Sequence, residues 1–197
     1  MATMVSSIVG EFRRYKALGD AAIAQIKDEE LAVGDPRAGA NSAAVLVWHI
    51  GGNLRSRFTD FLASDGEKPW RHRDEEFTAR SVTRDELLAK WNGGWDPLFG
   101  ALSELTDDHL QQTVTIRGQS FAVHAALHRA LAHICYHVGQ LVFLAKSFRG
   151  EEWKNLSIPL GKSEDANRNP GHQDPGSHAE KIAAAIARPG AAPANRA

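Results

Sequence analysis

Val123-His124-Ala125-Ala126-Leu127-His128-Arg129-Ala130-Leu131-Ala132-His133-Ile134-Cys135-Tyr136-His137-Val138-Gly139-Gln140-Leu141-Val142-Phe143-Leu144-Ala145-Lys146-Ser147-Phe148 is the longest helical pattern in the chain, and Gly150 closes it. It carries four histidines as two pairs, His124 with His128 and His133 with His137. Residues i and i+4 stack on one helix face, about 5–6 Å apart at Cβ. Either pair can therefore converge on one divalent ion, for which histidine is the commonest protein ligand. At about 100° per residue, the offset between the pairs puts them roughly half a turn apart, so they cannot share a site. Ala130, Ile134, Leu141 and Ala145 lie nearer the second pair. His133 and His137 are expected to face the interior, and His124 and His128 a solvated surface.

Three more helical segments lie upstream. The first covers about residues 5–31, with Ile8, Phe12, Tyr15, Leu18, Ile23 and Ile26 at helical spacing, and Gly34-Asp35-Pro36 breaks it. The second opens at the cap Asn41-Ser42 and runs to about residue 63 on Val45, Leu46, Ile50, Leu54, Phe58, Phe61 and Leu62. Thr83-Arg84-Asp85-Glu86 is a capping box opening a third, to about residue 105, weakened at Gly93-Gly94 and kinked at Pro97. Residues 113–121 are β-prone around Gly118 and predict a small hairpin. Long helices with almost no strand signal predict an all-α fold, an up-and-down four-helix bundle over residues 1–163. From residue 164 the composition shifts to Gly, Pro, Asn, Ser and Ala. A flexible C-terminal tail is expected there, with at most a short helix near residues 179–187.

The 23 Lys and Arg against 24 Asp and Glu argue against a nucleic-acid binder. Arg71, Arg73 and Arg80 alternate with Asp74, Glu75 and Glu76, so no basic patch is read there. The single cysteine, Cys135, excludes an internal disulfide and fits a reducing compartment. Neither a signal-peptide pattern nor an apolar run near the roughly 20 residues of a membrane span is present. The expectation is a cytoplasmic protein with a small-molecule substrate, no nucleic-acid or membrane partner, and possible pairing into a homodimer through an exposed apolar helix face.

Two imidazoles under-coordinate a divalent cation, so a metal site needs a third ligand. His49, after Trp48 in the second helix, is the best candidate. It aligns with Asn53, Ser56 and Asp60, a polar stripe that either faces water or lines a polar pocket between helices.

At these residues the chain resembles the DinB-like superfamily, whose name refers to DNA-damage induction and implies no DNA binding. The resemblance rests on Asn41-Ser42-x-Ala44-x-x-x-x-His49-x-x-Gly52-Asn53, on Ser64-Asp65-Gly66-Glu67-Lys68-Pro69-Trp70-Arg71, and on Ala132-His133-x-x-Tyr136-His137-x-Gly139-Gln140. The second match, with Trp153-Lys154-x-Leu156-Ser157-Ile158-Pro159, is similar to an uncharacterised branch of that superfamily. Over residues 5–163 the resemblance implies a bundle holding a metal on His49, His133 and His137. Zinc or nickel leads a set that imidazole extends to iron and copper. Relatives include transferases that join low-molecular-weight thiols to electrophiles and a thiol-dependent isomerase, so a thiol cosubstrate is implied. A non-catalytic metal-binding or stress-response protein and a metal-dependent hydrolase are the alternatives. Asn53 and Gln140 are candidates for orienting a ligand, and Trp70 and Arg71 for covering the site and holding a carboxylate. Glu67 is a weaker candidate base. Cys135 lies off the His133/His137 face and reads as core filler.

Overall fold

Capping residues start the helices of this chain. A computed structural model describes residues 3–34, 39–170 and 174–187. Thr3 precedes α1 (Met4–Ile23), its hydroxyl accepting from the Ser6 N–H at 3.0 Å. The Asp107 carboxylate accepts from the Met4 and Val5 N–H groups at 3.0 and 2.9 Å, an anion where the helix dipole and free donors favour one. Ser42 caps α2 (Ala43–Phe58). Thr83 and Glu86 form the expected reciprocal capping box at the start of α3 (Arg84–Ser103).

The predicted hairpin is β1 (Thr113–Ile116) paired antiparallel with β2 (Gln119–Ala122). Arg117 and Gly118 join them with φ of 54° and 70°, the positive values a two-residue turn of this hand requires. The chain then enters α4 (Val123–Arg149), which ends at Gly150. The all-α expectation holds in its coarse form: the chain is mostly helical with one small two-stranded sheet among the described residues.

Boundaries differ where local backbone decides. Helix α1 stops at Ile23, and a separate 3-10 turn covers Asp28–Glu30. Of the expected break, Asp35 and Pro36 lie outside the described residues. Helix α2 stops at Phe58, before Asp60 takes a φ of 50°. Pro97 sits inside α3 without ending it.

Helix α1 packs on α3 and α4, and α2 packs on the same two. Phe12, Leu54, Trp91, Trp95, Leu98 and Leu127 are fully buried between them. A Cβ on Gly94 of α3 would lie 2.4 Å from the Gly51 Cα of α2. The Gly-Gly step read as a weak point is thus where two backbones touch.

Within the segment expected as a tail lie α5 (Ser163–Arg168) and α6 (Pro175–Ala187), the latter against α1. His178 Nδ1 accepts from Arg14 Nε at 2.8 Å, and Ile182 is buried with Ala21 and Leu156. Burying one apolar side chain and one paired imidazole docks a helix that composition alone suggests is loose. Residues 188–197 of that segment lie outside the described residues. No described helix is long and apolar enough to cross a membrane.

Candidate metal centre

The polar stripe of α2 faces protein. Ser56 is fully buried; its hydroxyl donates to the Gly66 carbonyl at 2.8 Å and accepts from the Lys68 N–H at 3.1 Å. These bonds fasten the loop of residues 64–71 over the helix. One end of that loop holds the hairpin, because the Asp65 carboxylate accepts from the Arg117 and Gly118 N–H groups at 2.8 Å each. The stripe therefore lines a polar pocket, with His49 only 4 % exposed and Asp60 alone of its members exposed.

Helix α4 presents His133 and His137 to the same point. His133 Nε2 lies 3.1 Å from His49 Nε2 and 3.1 Å from His137 Nε2, and one ring nitrogen from each of the three falls within 4.8 Å of the others. Nitrogens about 2.0–2.1 Å from a shared tetrahedral zinc lie roughly 3.3–3.4 Å apart. The spacing is close to what an ion would set.

The partners of the rings decide where their protons sit. Arg71, buried to 2 % side-chain exposure, donates from Nε and Nη2 to the two oxygens of Glu76 at 2.8 and 2.9 Å. Burial opposes the charge on Glu76, yet the bonds from His49 and Arg71 outweigh it and hold the carboxyl below its usual range. An anionic Glu76 only accepts, so His49 Nδ1, 2.9 Å from its Oε2, carries the proton. His137 Nδ1 donates in the same way to Gln140 Oε1 at 2.8 Å. Both rings then turn Nε2 toward His133, and that of His137, whose pKa is lowered by burial, is a bare lone pair.

The single Nε2 position of His133 can align an N–H with only one of them. With Nε2 protonated, His133 serves one neighbour and leaves the other 3.1 Å contact unbonded. With Nε2 bare, its lone pair faces the other rings with no proton of its own to share. A cation at the centre relieves either arrangement. Burial, followed by His137, His49, Arg71 and Arg57, pushes the His133 pKa down to about 3. Burial also lowers His137, against the raising effect of its bond to Gln140. Both imidazoles are therefore neutral near pH 7 and free to ligate.

A cavity of about 180 Å³ opens beside His49 and His133, and Asn53 and Arg71 line it. Arg71 does grip a carboxylate at two points, but it is that of Glu76. Trp70 lies outside the cavity lining, 46 % exposed, with the Arg55 guanidinium 5.0 Å from its ring. Glu67 sits 3.0 Å from Arg117, 3.3 Å from Arg57 and 3.7 Å from Arg71, so it serves as a counter-ion. Cys135 is half-buried, and burial raises its pKa.

Glu76 is the participant that sequence reasoning missed. It sits in the short 3-10 turn Arg73–Phe77, where no periodicity marks the inward residue of Asp74-Glu75-Glu76. One signal was present nearby: a Cβ on Gly52 would lie 2.1 Å from Glu76 Oε1. Glycine one turn past His49 leaves the room its carboxylate partner needs.

In comparisons with known proteins, residues 2–162 match the model of a family described as Protein of unknown function (DUF1572). No curated protein and no solved structure matches the chain.

Proposed function

The chain belongs to the family DUF1572, and from that premise we propose that it binds one divalent metal ion, zinc or nickel, through His49, His133 and His137. The proposal includes an up-and-down four-helix bundle of the DinB-like type, supported by the packing of α1 and α2 each against α3 and α4. The observation that carries it is the convergence of three imidazoles whose Nε2 atoms, 3.1 Å apart at two contacts, cannot all be satisfied by one another.

Three protein nitrogens leave at least one coordination position for a small molecule, the pattern of a reactive rather than a structural centre. We read the activity as a transferase joining a low-molecular-weight thiol to a small electrophile. When bound, the ion supplies the Lewis acidity that favours thiolate over thiol at neutral pH. The new carbon–sulfur bond forms as the leaving group departs with its electron pair. The chain contributes orientation: Glu76 fixes the ring of His49, Gln140 that of His137, and the adjoining cavity seats the electrophile. Cys135, outside the cavity lining and with its pKa raised by burial, does not supply the nucleophile. Tyr136 and Phe143, both 65 % exposed on α4, support pairing of two copies.

Elemental analysis of the purified full chain tests the centre, with one ion per chain expected. A panel of thiols against alkyl halides and epoxides, read by product mass, tests the reaction. An ion with no turnover makes the protein a carrier or sensor, product without thiol makes it a hydrolase, and a metal-free chain that takes up no zinc ends the proposal.

A further inference from the structure

Arg57, Arg71, Arg73, Arg117 and Arg129 all line the cavity beside the histidines, and no described carboxylate does. Carboxylates behind the wall neutralise part of this charge. Glu76 is spent on Arg71, and Glu67 is shared by Arg57, Arg71 and Arg117. Asp74 lies 3.5 Å from Arg73, and Asp65 is engaged by backbone N–H groups. Two guanidinium groups remain under-satisfied. Arg129 has no ion pair among the described residues and rests with its guanidinium 5.4 Å from the Phe121 ring. Arg57, with a side chain 14 % exposed, has a buried Nη1 that makes no hydrogen bond and faces Glu67 at 3.3 Å.

Burial is the main cause lowering the Arg57 pKa; Glu67 opposes it, while Arg71, Arg117 and Arg129 add to it. Five guanidinium groups thus border the cavity with fewer carboxylates near them. Phe58, Phe61 and Ile116 give the same cavity an apolar part of its lining. A volume of about 180 Å³ is small beside the roughly 300–1,000 Å³ of drug-sized ligand sites.

We infer that this cavity takes a small organic oxyanion, a carboxylate or phosphate on an apolar body, with the anionic group at Arg57 and Arg129 and the body against Phe58, Phe61 and Ile116. A planar guanidinium matches both headgroups through charge-assisted, two-point hydrogen bonds. The inference rests on the metal-centre proposal only in making this molecule the substrate; anion binding itself depends on the arginines.

Calorimetric titration of benzoate, phenyl phosphate and benzyl alcohol into the zinc-loaded and the chelated full chain tests it. At least one anion should bind both forms about tenfold more tightly than the neutral alcohol, and added salt should weaken it. Whichever anion binds better identifies the headgroup. Arg57→Gln and Arg129→Gln should each weaken the anion about tenfold and leave the alcohol unchanged. Arg129 is exposed, so its variant keeps the test intact should Arg57→Gln fail to fold. An anion bound no more tightly than the alcohol overturns the inference, as does unchanged affinity in both variants. So does binding that requires zinc and ignores the arginines, which makes the anion a metal ligand. Failure of the metal centre is read separately, as absence of zinc uptake while the chelated chain still binds anion.

Discussion

His124/His128 and His133/His137 share one helix and one spacing, yet only the second pair meets a third imidazole. The ring centroids of the first pair are 6.0 Å apart, with His124 half-buried and His128 exposed. Those of the second are 4.6 Å apart, with His49 wedged against both at 5.0 and 4.7 Å. Among the described residues, no other group of three His, Cys, Asp or Glu side chains is close enough to hold an ion. The difference lies outside α4. The second pair faces α2, where Glu76 fixes the ring of His49, while Gln140 fixes that of His137. A four-residue histidine spacing makes a site possible, and neighbours holding the lone pairs inward make it one.

The largest effect that can break the comparison is loss of the ion. His49→Ala, His133→Ala and His137→Ala should each remove stoichiometric zinc by elemental analysis, whereas His124→Ala with His128→Ala should retain it. Full zinc in the first three would dissolve the distinction between the pairs.

Chelation comes next in size. An ion present at about 100 times its Kd that binds only the folded chain adds roughly 2.7 kcal/mol. Stripping it should lower Tm by about 5–10 °C for a chain of this length. His133→Ala should show no such shift; equal shifts in both proteins would mean that the chelator acts elsewhere.

Orienting groups should matter less than ligands. Gln140→Ala releases Nδ1 of His137, and Gly52→Ala pushes Glu76 off Nδ1 of His49. Each should weaken zinc by about 10–100-fold in competition with a chromogenic chelator. Unaltered affinity in both would mean that the tautomers need no fixing.

Near neutral pH the smallest expected effect is that of pH in the metal-free chain, which grows only as the solution is acidified. With the folded-state pKa of His133 at about 3, below the ordinary value of 6.5, the unfolded chain holds one more proton between those limits. Stability from this group is thus complete above about pH 6.5 and falls by about 1.4 kcal/mol per unit as pH drops toward 3. Urea unfolding across that range should show a shallower acid slope in His133→Ala. The same slope in both proteins would place the proton uptake on another group.

Much of this was legible in the chain because helices are periodic. The capping signals at Ser42 and Thr83, the hairpin around Gly118 and the inward face of His133 and His137 all follow from local rules. His49 was legible only as an open choice, since an amphipathic stripe does not say whether water or protein covers it. The loop bound to Ser56 decides that, through contacts ten and twelve residues along the chain. Glu76 and the arginine wall were illegible for a further reason. A run of alternating charges reads as a solvated surface until folding buries Arg71 and aims Glu76 at a histidine.

The sequence by itself determined which segments are helical and which histidines share a face, because backbone periodicity and capping act over a few residues. Only the tertiary structure decided that α2, α4 and a short 3-10 turn bring three imidazole nitrogens to one point beside a cationic cavity. Bringing them together joins groups 27 and 84 residues apart. It depends on which helices pack and on the room left at Gly52, neither of which a local pattern encodes.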